Sequence, residues 1–316
     1  MNALPAHATI IKRFWLWLCN HDDAYSHLQP SELKKTDSTR LGIYIAFHLG
    51  MLGVFITGIS TTAVIFAMAM YFLRMFFITG FYHRYFSHKS FRTSRLFQWL
   101  MGVAGCTAGQ RGPLWWASHH RYHHLKSDSS DDPHTPTKGF MESHVLWIFK
   151  KENFNVNHKH IRDLSKYPEL VMLERFHWVP FLLYGYFCYL TGELLHRHSP
   201  LLETDGTQLF IWGFFVSTVF LYHGTYTINS LAHRYGKRRF DTRDNSKNSL
   251  ALALITLGEG WHNNHHRYPV STRQGFYWWE IDLTYAALKF LSYFGIVSNL
   301  KPVPASILAE GRGVKR

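Results

Sequence analysis

The chain has 316 residues, of which 47% are hydrophobic, 17% aromatic and only 17% charged, with a formal net charge of +13. A soluble domain carries about a quarter charged residues, so the balance points to lipid. Basic loops beside an anionic leaflet account for the positive charge. No nucleic-acid motif is present, and no nucleic-acid partner is expected. Cys19, Cys106 and Cys188 are scattered and odd in number, which speaks for a reduced protein without disulfides or a cysteine-based metal site.

In chain order, the run 10–19 has charges inside it and no small-residue cleavage site. It reads as an amphipathic helix on the membrane surface rather than a signal peptide. Four apolar stretches near the ~20 residues needed to cross a bilayer follow: 41–57, 61–80, 178–195 and 209–231, the first two joined by Gly58-Ile59-Ser60. Of 34 Lys and Arg, five precede residue 41, fourteen lie in 81–177 and thirteen follow residue 231. By the positive-inside rule both termini and the long central loop are cytoplasmic. Arg74, inside the second stretch, is expected to snorkel toward the interface. The run 96–109 is apolar, too short to span and broken by glycine. It is expected to pack at membrane depth inside the protein.

Histidines carry the chemistry. They occur as HxxxxH (His83, His88), HxxHH (His120, His123, His124), a single His233 in NSLAHRYG, and a second HxxHH (His262, His265, His266). Imidazole suits zinc, copper, iron and nickel. Nine ring nitrogens exceed what one tetrahedral ion takes, so the count argues for two metals held close together. On an α-helix, positions i, i+3 and i+4 share a face, which supports shared ligation within each HxxHH box. Five residues turn about 140°, so His83 and His88 are expected to serve different metals or straddle a helix end. With the four spans as drawn, all nine fall on the cytoplasmic side. Glu259, Asp128, Asp131 and Asp132 lie near the boxes and could orient ligand histidines. His119, His134 and His144 are further neighbours of the boxes. Trp115, Trp116, Trp147 and Trp261 crowd them and could line a channel for an apolar substrate. No HExxH occurs, which argues against a zinc hydrolase.

The boxes HRYFSH, HRYHH and HNNHH resemble those of the integral-membrane fatty acid desaturases. The flanking WWASHHRYHH, DDPHTPTKGFMESHVLW, NSLAHRYG and GEGWHNNHHRYP resemble the delta-9 acyl desaturase branch, related to the stearoyl-CoA desaturases, without a fused cytochrome b5. The resemblance covers roughly 41–277. It implies an all-α membrane protein: four transmembrane helices carrying a cytosolic helical cap (81–177 and 232–300) within a desaturase domain 41–300, flanked by an N-terminal segment 1–40 and a tail 301–316. It implies a di-iron centre on the nine histidines, with Asn229 holding a metal through a water and zinc able to replace iron in recombinant protein. The implied reaction uses O2 and two electrons to leave a cis double bond, at delta-9, in a fatty acyl thioester or acyl lipid lodged in a kinked apolar tunnel.

Two departures from the family pattern matter. Where acyl-CoA enzymes place an Arg and an Asp before the first HxxHH, this chain has Ser118 and His119, which weakens the case for CoA. Lys150 and Lys151 stand where the family places basic CoA contacts, and a phospholipid or acyl carrier protein substrate stays open. No HPGG, flavin or Fe–S motif is present, so electrons are expected from a separate protein such as a ferredoxin, cytochrome b5 or a reductase. A bacterial cytoplasmic membrane is the expected location. Gly50, Gly53, Met70 and Phe77 are candidates for setting acyl length. Two rivals remain: a di-iron hydroxylase, and a histidine-rich metal transporter using His48, His177 and His223 within or beside the spans.

Overall fold

The computed structural model describes residues 6–313. Helices dominate, and the one ladder among the described residues is a two-residue antiparallel pair, Arg92–Thr93 against Val297–Ser298. Among the described residues three helices are long and apolar enough to cross a membrane: Ser38–Thr57, Thr61–Ser87 and Gly206–Ser230. The first begins where the Asp37 carboxylate accepts the amides of Thr39 and Arg40 at 3.1 and 3.2 Å. It ends at Gly58, whose φ of +70° is cheap only without a β-carbon. Ser60 then caps the next helix by accepting the Ala63 amide at 3.1 Å. The expected stretch 178–195 is also one helix, Trp178–His198, but Tyr184, Tyr186, Tyr189 and Glu193 leave it less apolar than the other three.

Close approach of the first and last of the three apolar helices uses glycine. A β-carbon on Gly50 would lie 2.3 Å from the Phe215 ring, and one on Gly53 2.6 Å from Ile211. Small residues that let backbones meet are the usual means of packing helices in lipid. These glycines are therefore packing positions. Met70 packs with Tyr184, Cys188 and Phe214, and Phe77 with the main core around Phe81, and none of the four expected length-setting residues lines the three cavities that reach the histidines.

Arg74 does not snorkel. It is 1% exposed, and its Nη1 donates to Thr218 Oγ1 at 2.7 Å and Thr107 O at 3.2 Å. Its Nη2 donates to Ser217 Oγ at 2.5 Å, and the guanidinium lies 4.3 Å over the Tyr184 ring. Polar partners within reach satisfy the charge better than a stretch to the headgroups. The 96–109 run forms the helix Arg95–Cys106, and only one face of it is internal. Met101, Gly102, Gly105 and Cys106 are buried against Tyr82 and Leu173, whereas Leu96, Trp99 and Leu100 are exposed. At the N-terminus the helix Ala6–Leu18 presents Ile10, Ile11, Phe14 and Trp15 outward, the apolar row expected of a helix lying on a membrane.

The expected second span ends at Gly80, but its helix runs on to Ser87. From Phe77 it winds as a π-helix, almost wholly buried. Its carbonyl end is held by Arg121 of the Pro113–Lys126 helix, whose Nε donates to Ser87 O at 2.8 Å and whose Nη2 donates to Phe86 O at 2.6 Å. Orphan carbonyls at a helix end are satisfied this way. The contact also fixes the first HxxHH helix against the HxxxxH segment.

Candidate metal centre

Four elements deliver the nine histidines. The π-helix carries His83 and ends beside His88, Pro113–Lys126 carries the first HxxHH box, the chain after Ser230 carries His233, and the six-residue helix His262–Arg267 carries the second box. Two asparagines lock that last helix in place, both with 0% exposure. Asn263 Oδ1 accepts the amides of Arg239 and Phe240 at 2.8 and 2.7 Å, and Asn264 Nδ2 donates to Glu280 at 2.8 Å. The NN of HNNHH is thus a structural anchor.

The ring nitrogens sort into two groups. His83, His88, His120, His124 and His265 form one; His123, His233, His262 and His266 form the other; within each group they lie within 4.8 Å of one another. The grouping divides each box, in contrast to the expectation of shared ligation within it. The i and i+4 members of the first box (His120, His124) join the five-membered group, and its His123 joins the other. In the second box His262 and His266 join the four-membered group, and His265 crosses over. Each box therefore straddles both groups, and the stacked rings of His124 and His266, 4.5 Å apart, bring the groups together. His83 and His88 share one group, because the amide of His88 donates to the carbonyl of His83 at 3.2 Å. That i→i+5 bond brings the two rings edge to face, centroids 4.9 Å apart, where an α-helix would turn them apart.

The nitrogens converge as a cation requires. Nε2 atoms meet at 2.8 Å (His88–His120), 3.0 Å (His120–His124), 2.9 Å (His124–His265), 3.1 Å (His83–His265) and 3.0 Å (His233–His262). An ion held at roughly 2.1 Å by imidazole spaces adjacent ligands by about 3 Å. His266 Nε2 is buried with no hydrogen-bond partner. Carboxylates hold the opposite nitrogens: Nδ1 of His123 lies 3.0 Å from Asp132, Nδ1 of His233 3.1 Å from Asp128, Nδ1 of His266 2.5 Å from Asp244, and Nδ1 of His83 against Glu259. An Nδ1–H given to a carboxylate leaves Nε2 as a lone pair pointing inward. Three of these four carboxylates serve the four-membered group, so the two groups differ in surrounding charge.

Burial and mutual repulsion push His88, His120, His124, His262 and His265 well below the ordinary histidine range, and burial pulls His266 down to about 4 against the opposing pull of Asp244. His123 moves the other way. Burial lowers it, but Asp132 outweighs that, and Asp132 itself is held below the usual carboxylate range by His123 and His134 despite its own burial. The six lowered rings are thereby held neutral at physiological pH, the state that binds a metal.

Glu259 and Asp132 sit as expected; Asp131 instead pairs with Lys126 at the surface, 3.2 Å away. Trp116 stacks on His120, ring centroids 5.0 Å apart, and Trp147 stacks on Trp115 at 5.9 Å. Trp261 is not among the residues lining the cavities beside the histidines; its Nε1 donates to Ile281 O at 2.7 Å and steadies the second box. Lys150 pairs with Glu142, and Lys151 lies 5.8 Å over the Tyr25 ring. Sequence reasoning missed Asp244 and Gln274, whose Nε2 sits 3.2 Å from His83 Nδ1 and 3.0 Å from Glu259 Oε2. Neither lies in a box. Asp244 precedes its histidine by 22 residues, so no spacing signal marks it.

A cavity of about 60 Å³ touches both groups, lined by Met75, Ile78, Thr79, Trp116 and Asn229 with His83, His120, His123 and His262. Trp116, His120, Thr225 and Asn229 are shared with a second cavity of about 100 Å³, which in turn shares Gly109, Arg111, Ile148 and Tyr226 with an outer one of about 250 Å³. Through these shared walls the three make a mainly apolar channel that reaches the histidines. His48 and His223 meet at 3.1 Å, and His223 meets His144 at 3.0 Å, but this trio lies apart from both groups.

Fold and site together define a helical membrane protein with a paired histidine centre at the end of an apolar channel. The fatty acid desaturase family model matches residues 59–295, three quarters of the chain, and the protein belongs to that family. It is 36% identical over 221 residues to an acyl-CoA 5-desaturase of Anemone leveillei, covering 69% of this chain and 64% of the relative. It is 35% identical over 213 residues to an sn-1 stearoyl-lipid 9-desaturase of Anabaena variabilis (67% of this chain, 74% of the relative). An sn-2 palmitoyl-lipid 9-desaturase of Nostoc is 33% identical over 227 residues (70% and 75%). Against the plant relatives the chain spans less than two thirds of their length, 59% for a chloroplastic lipid desaturase of Arabidopsis thaliana.

Proposed function

We propose that this protein is an O2-dependent fatty acyl desaturase that introduces a cis double bond, at delta-9, into a saturated acyl chain. The carrying observation is the convergence of two groups of Nε2 atoms on the closed end of an apolar channel. Two iron ions fit these donors: His83, His88, His120, His124 and His265 for one, and His123, His233, His262 and His266 for the other, with Asn229 beside the cavity able to hold a water. When bound, the iron pair supplies O2 activation and the oxidising power to remove two hydrogens from adjacent methylenes. The balance is one O2, two electrons, two protons and –CH2–CH2– giving –CH=CH– and two waters.

The residues of the chain position and shield. Glu259, Asp132, Asp128 and Asp244 orient ligand rings, Trp116 closes one wall beside His120, and Met75, Ile78 and Thr79 bound the apolar space beyond. The distance from the outer cavity to the histidines fixes which C–C pair lies at the centre, so regiochemistry is counted from the carrier end. Supporting a fourth span, the Trp178–His198 helix leaves Leu182, Leu183, Phe187, Leu190 and Leu194 exposed as a lipid-facing surface. The centre then lies in a cytoplasmic cap of a bacterial inner-membrane protein, with electrons from a separate donor.

The test is expression in cells lacking their own desaturase, with His124→Ala as control and the double bond located chemically. A monoene at one position, absent in the control, is expected. A hydroxy acid would move the assignment to the sister reaction, and loss of metal from a His48→Ala, His223→Ala double variant would move it to transport.

A further inference from the structure

At the outer end of the channel two arginines face the same cavity without counter-ions. Arg40 and Arg111 both line the 250 Å³ space, together with Tyr44, Phe47, Phe181 and Tyr222. Arg40 Nη1, Arg111 Nε and Arg111 Nη1 are closed to solvent and have no hydrogen-bond partner. The Arg111 side chain donates from Nη2 to Phe154 O, at 2.9 Å, and its guanidinium lies over the rings of Trp115 and Phe154 at 4.8 and 4.5 Å. Arg40 lies 5.5 Å over the same Phe154 ring, so both guanidinium groups pack against one aromatic side chain.

The nearby carboxylates are engaged elsewhere. Glu174 accepts the amides of Leu114 and Trp115, both at 2.9 Å, and the Asn20 side chain. Asp37 accepts Trp17 Nε1 at 2.8 Å and Tyr25 Oη at 2.5 Å while capping its helix. Arg111 is also held at φ +68°, in the left-handed region a long side chain avoids, next to Gly109 at the same angle. Burial and the neighbouring Arg40 both press against the charge on Arg111, and a guanidinium does not respond by losing its proton. Two like charges with unmet N–H donors, in a space walled by aromatics, require an anion.

We propose that Arg40 and Arg111 form a phosphate-binding site at the carrier end of the acyl channel, so that the preferred substrate bears a phosphate near its acyl linkage. Paired guanidinium forks match the several oxygens of a phosphate, and the aromatic walls suit the stem that joins it to the chain. This rests on the desaturase reading. The phosphate can belong to a glycerophospholipid or to a phosphopantetheine thioester, and the experiment separates them.

The full-length, metal-loaded protein is assayed with distearoyl phosphatidylglycerol, with stearoyl-CoA and with an uncharged galactosyl distearoylglycerol. The variants are Arg40→Gln, Arg111→Asn (asparagine tolerates the positive φ) and Arg111→Lys. KM for the phosphate-bearing substrate the enzyme uses is expected to rise about tenfold or more in the first two, with kcat nearly unchanged and the galactolipid unaffected. Lysine is expected to restore part of the loss. Equilibrium binding of phosphatidylglycerol and stearoyl-CoA, read by quenching of Trp17 and Trp178 at the cavity wall, is expected to weaken in parallel. An equal loss on charged and uncharged lipids, or unchanged KM and binding, overturns the proposal. If no lipid is desaturated by the wild type, the activity reading fails while the binding comparison still decides the anion site. Binding of free stearate with the same arginine dependence and none of the phosphates would reassign the site to a carboxylate and also overturn it.

Discussion

His88 stands over His83: its amide donates to the His83 carbonyl at 3.2 Å, an i→i+5 bond that puts both rings in one group with His120, His124 and His265. The HxxxxH spacing is the pitch of a π-helix written into sequence. Deleting Tyr85 would return the segment toward α-helical winding and swing His88 out of the group. One metal of the pair should be lost, counted by elemental analysis, with the four-membered group still loaded. Retention of both metals would refute this role for the π-helix.

The crossing of the HxxHH boxes predicts two classes of variant. Titrating the metal-free protein with cobalt(II) should show two sites by absorbance. His88→Ala should weaken one and His262→Ala the other, even though His262 and His265 share a box. Asp244→Asn should act on the same site as His262→Ala with about a 10- to 100-fold loss of affinity, the usual size for a carboxylate behind a ligand histidine. If both alanine variants weakened the same site, the sorting of the nitrogens would be wrong.

Acid sensitivity of the metal-free protein follows from its buried histidines, those of the two groups and also His119 and His134 outside them. Burial drives His119 and His134 down to about 3. An unfolded histidine titrates near about 6.5 and takes up its proton first, so stability is full above that pH and falls as pH drops from about 6.5 toward 3. Thermal unfolding after chelation should show a melting temperature flat above pH 7 and declining steadily below 6.5. Constancy between pH 7.5 and 5 would show that these rings are not withheld from protons.

Arg74 gives a membrane-depth prediction. Every arm of its guanidinium is engaged, by Thr107, Ser217, Thr218 and Met70. Arg74→Ala should cost on the order of 3 kcal/mol, because it strands buried polar partners. Arg74→Lys should recover only part, since one ammonium cannot reach all four. Thermal unfolding in detergent measures both, and full rescue by lysine would mean that charge alone matters.

Much of this protein was legible in its sequence. Apolar runs found the helices Ser38–Thr57 and Gly206–Ser230 to within a few residues at each end, and the histidine count anticipated two groups. What escaped notice depended on non-local or non-α geometry. The π-winding of Phe77–Ser87 has no hydrophobic period distinct from an α-helix, so sequence left two alternatives for His83 and His88; the pair does straddle a helix end, with His88 as its cap. Arg74 turned inward because Ser217 and Thr218, more than 140 residues on, offered oxygens that no local window contains. Asp244, Gln274, Arg40 and Arg111 belong to no motif and become visible only once the chain has folded round the channel.

Acyl length should be set at the channel's inner end, where Met75, Ile78 and Thr79 bound the cavity beside His83 and His123. Met75 is 0% exposed, and its methyl also packs at Gly224, so the wall there is tight. Met75→Ala would open space for roughly three more chain atoms and should cost about 2–5 kcal/mol in stability, as core truncations do. Expressed in cells supplied with acyl chains of 14 to 20 carbons, the variant should shift its monoene products toward longer chains without moving the double bond relative to the carrier. Gly53→Ala, by contrast, would press on Ile211 between helices and should lower folded yield without changing product length. A length shift from Gly53→Ala and none from Met75→Ala would place the end of the channel elsewhere.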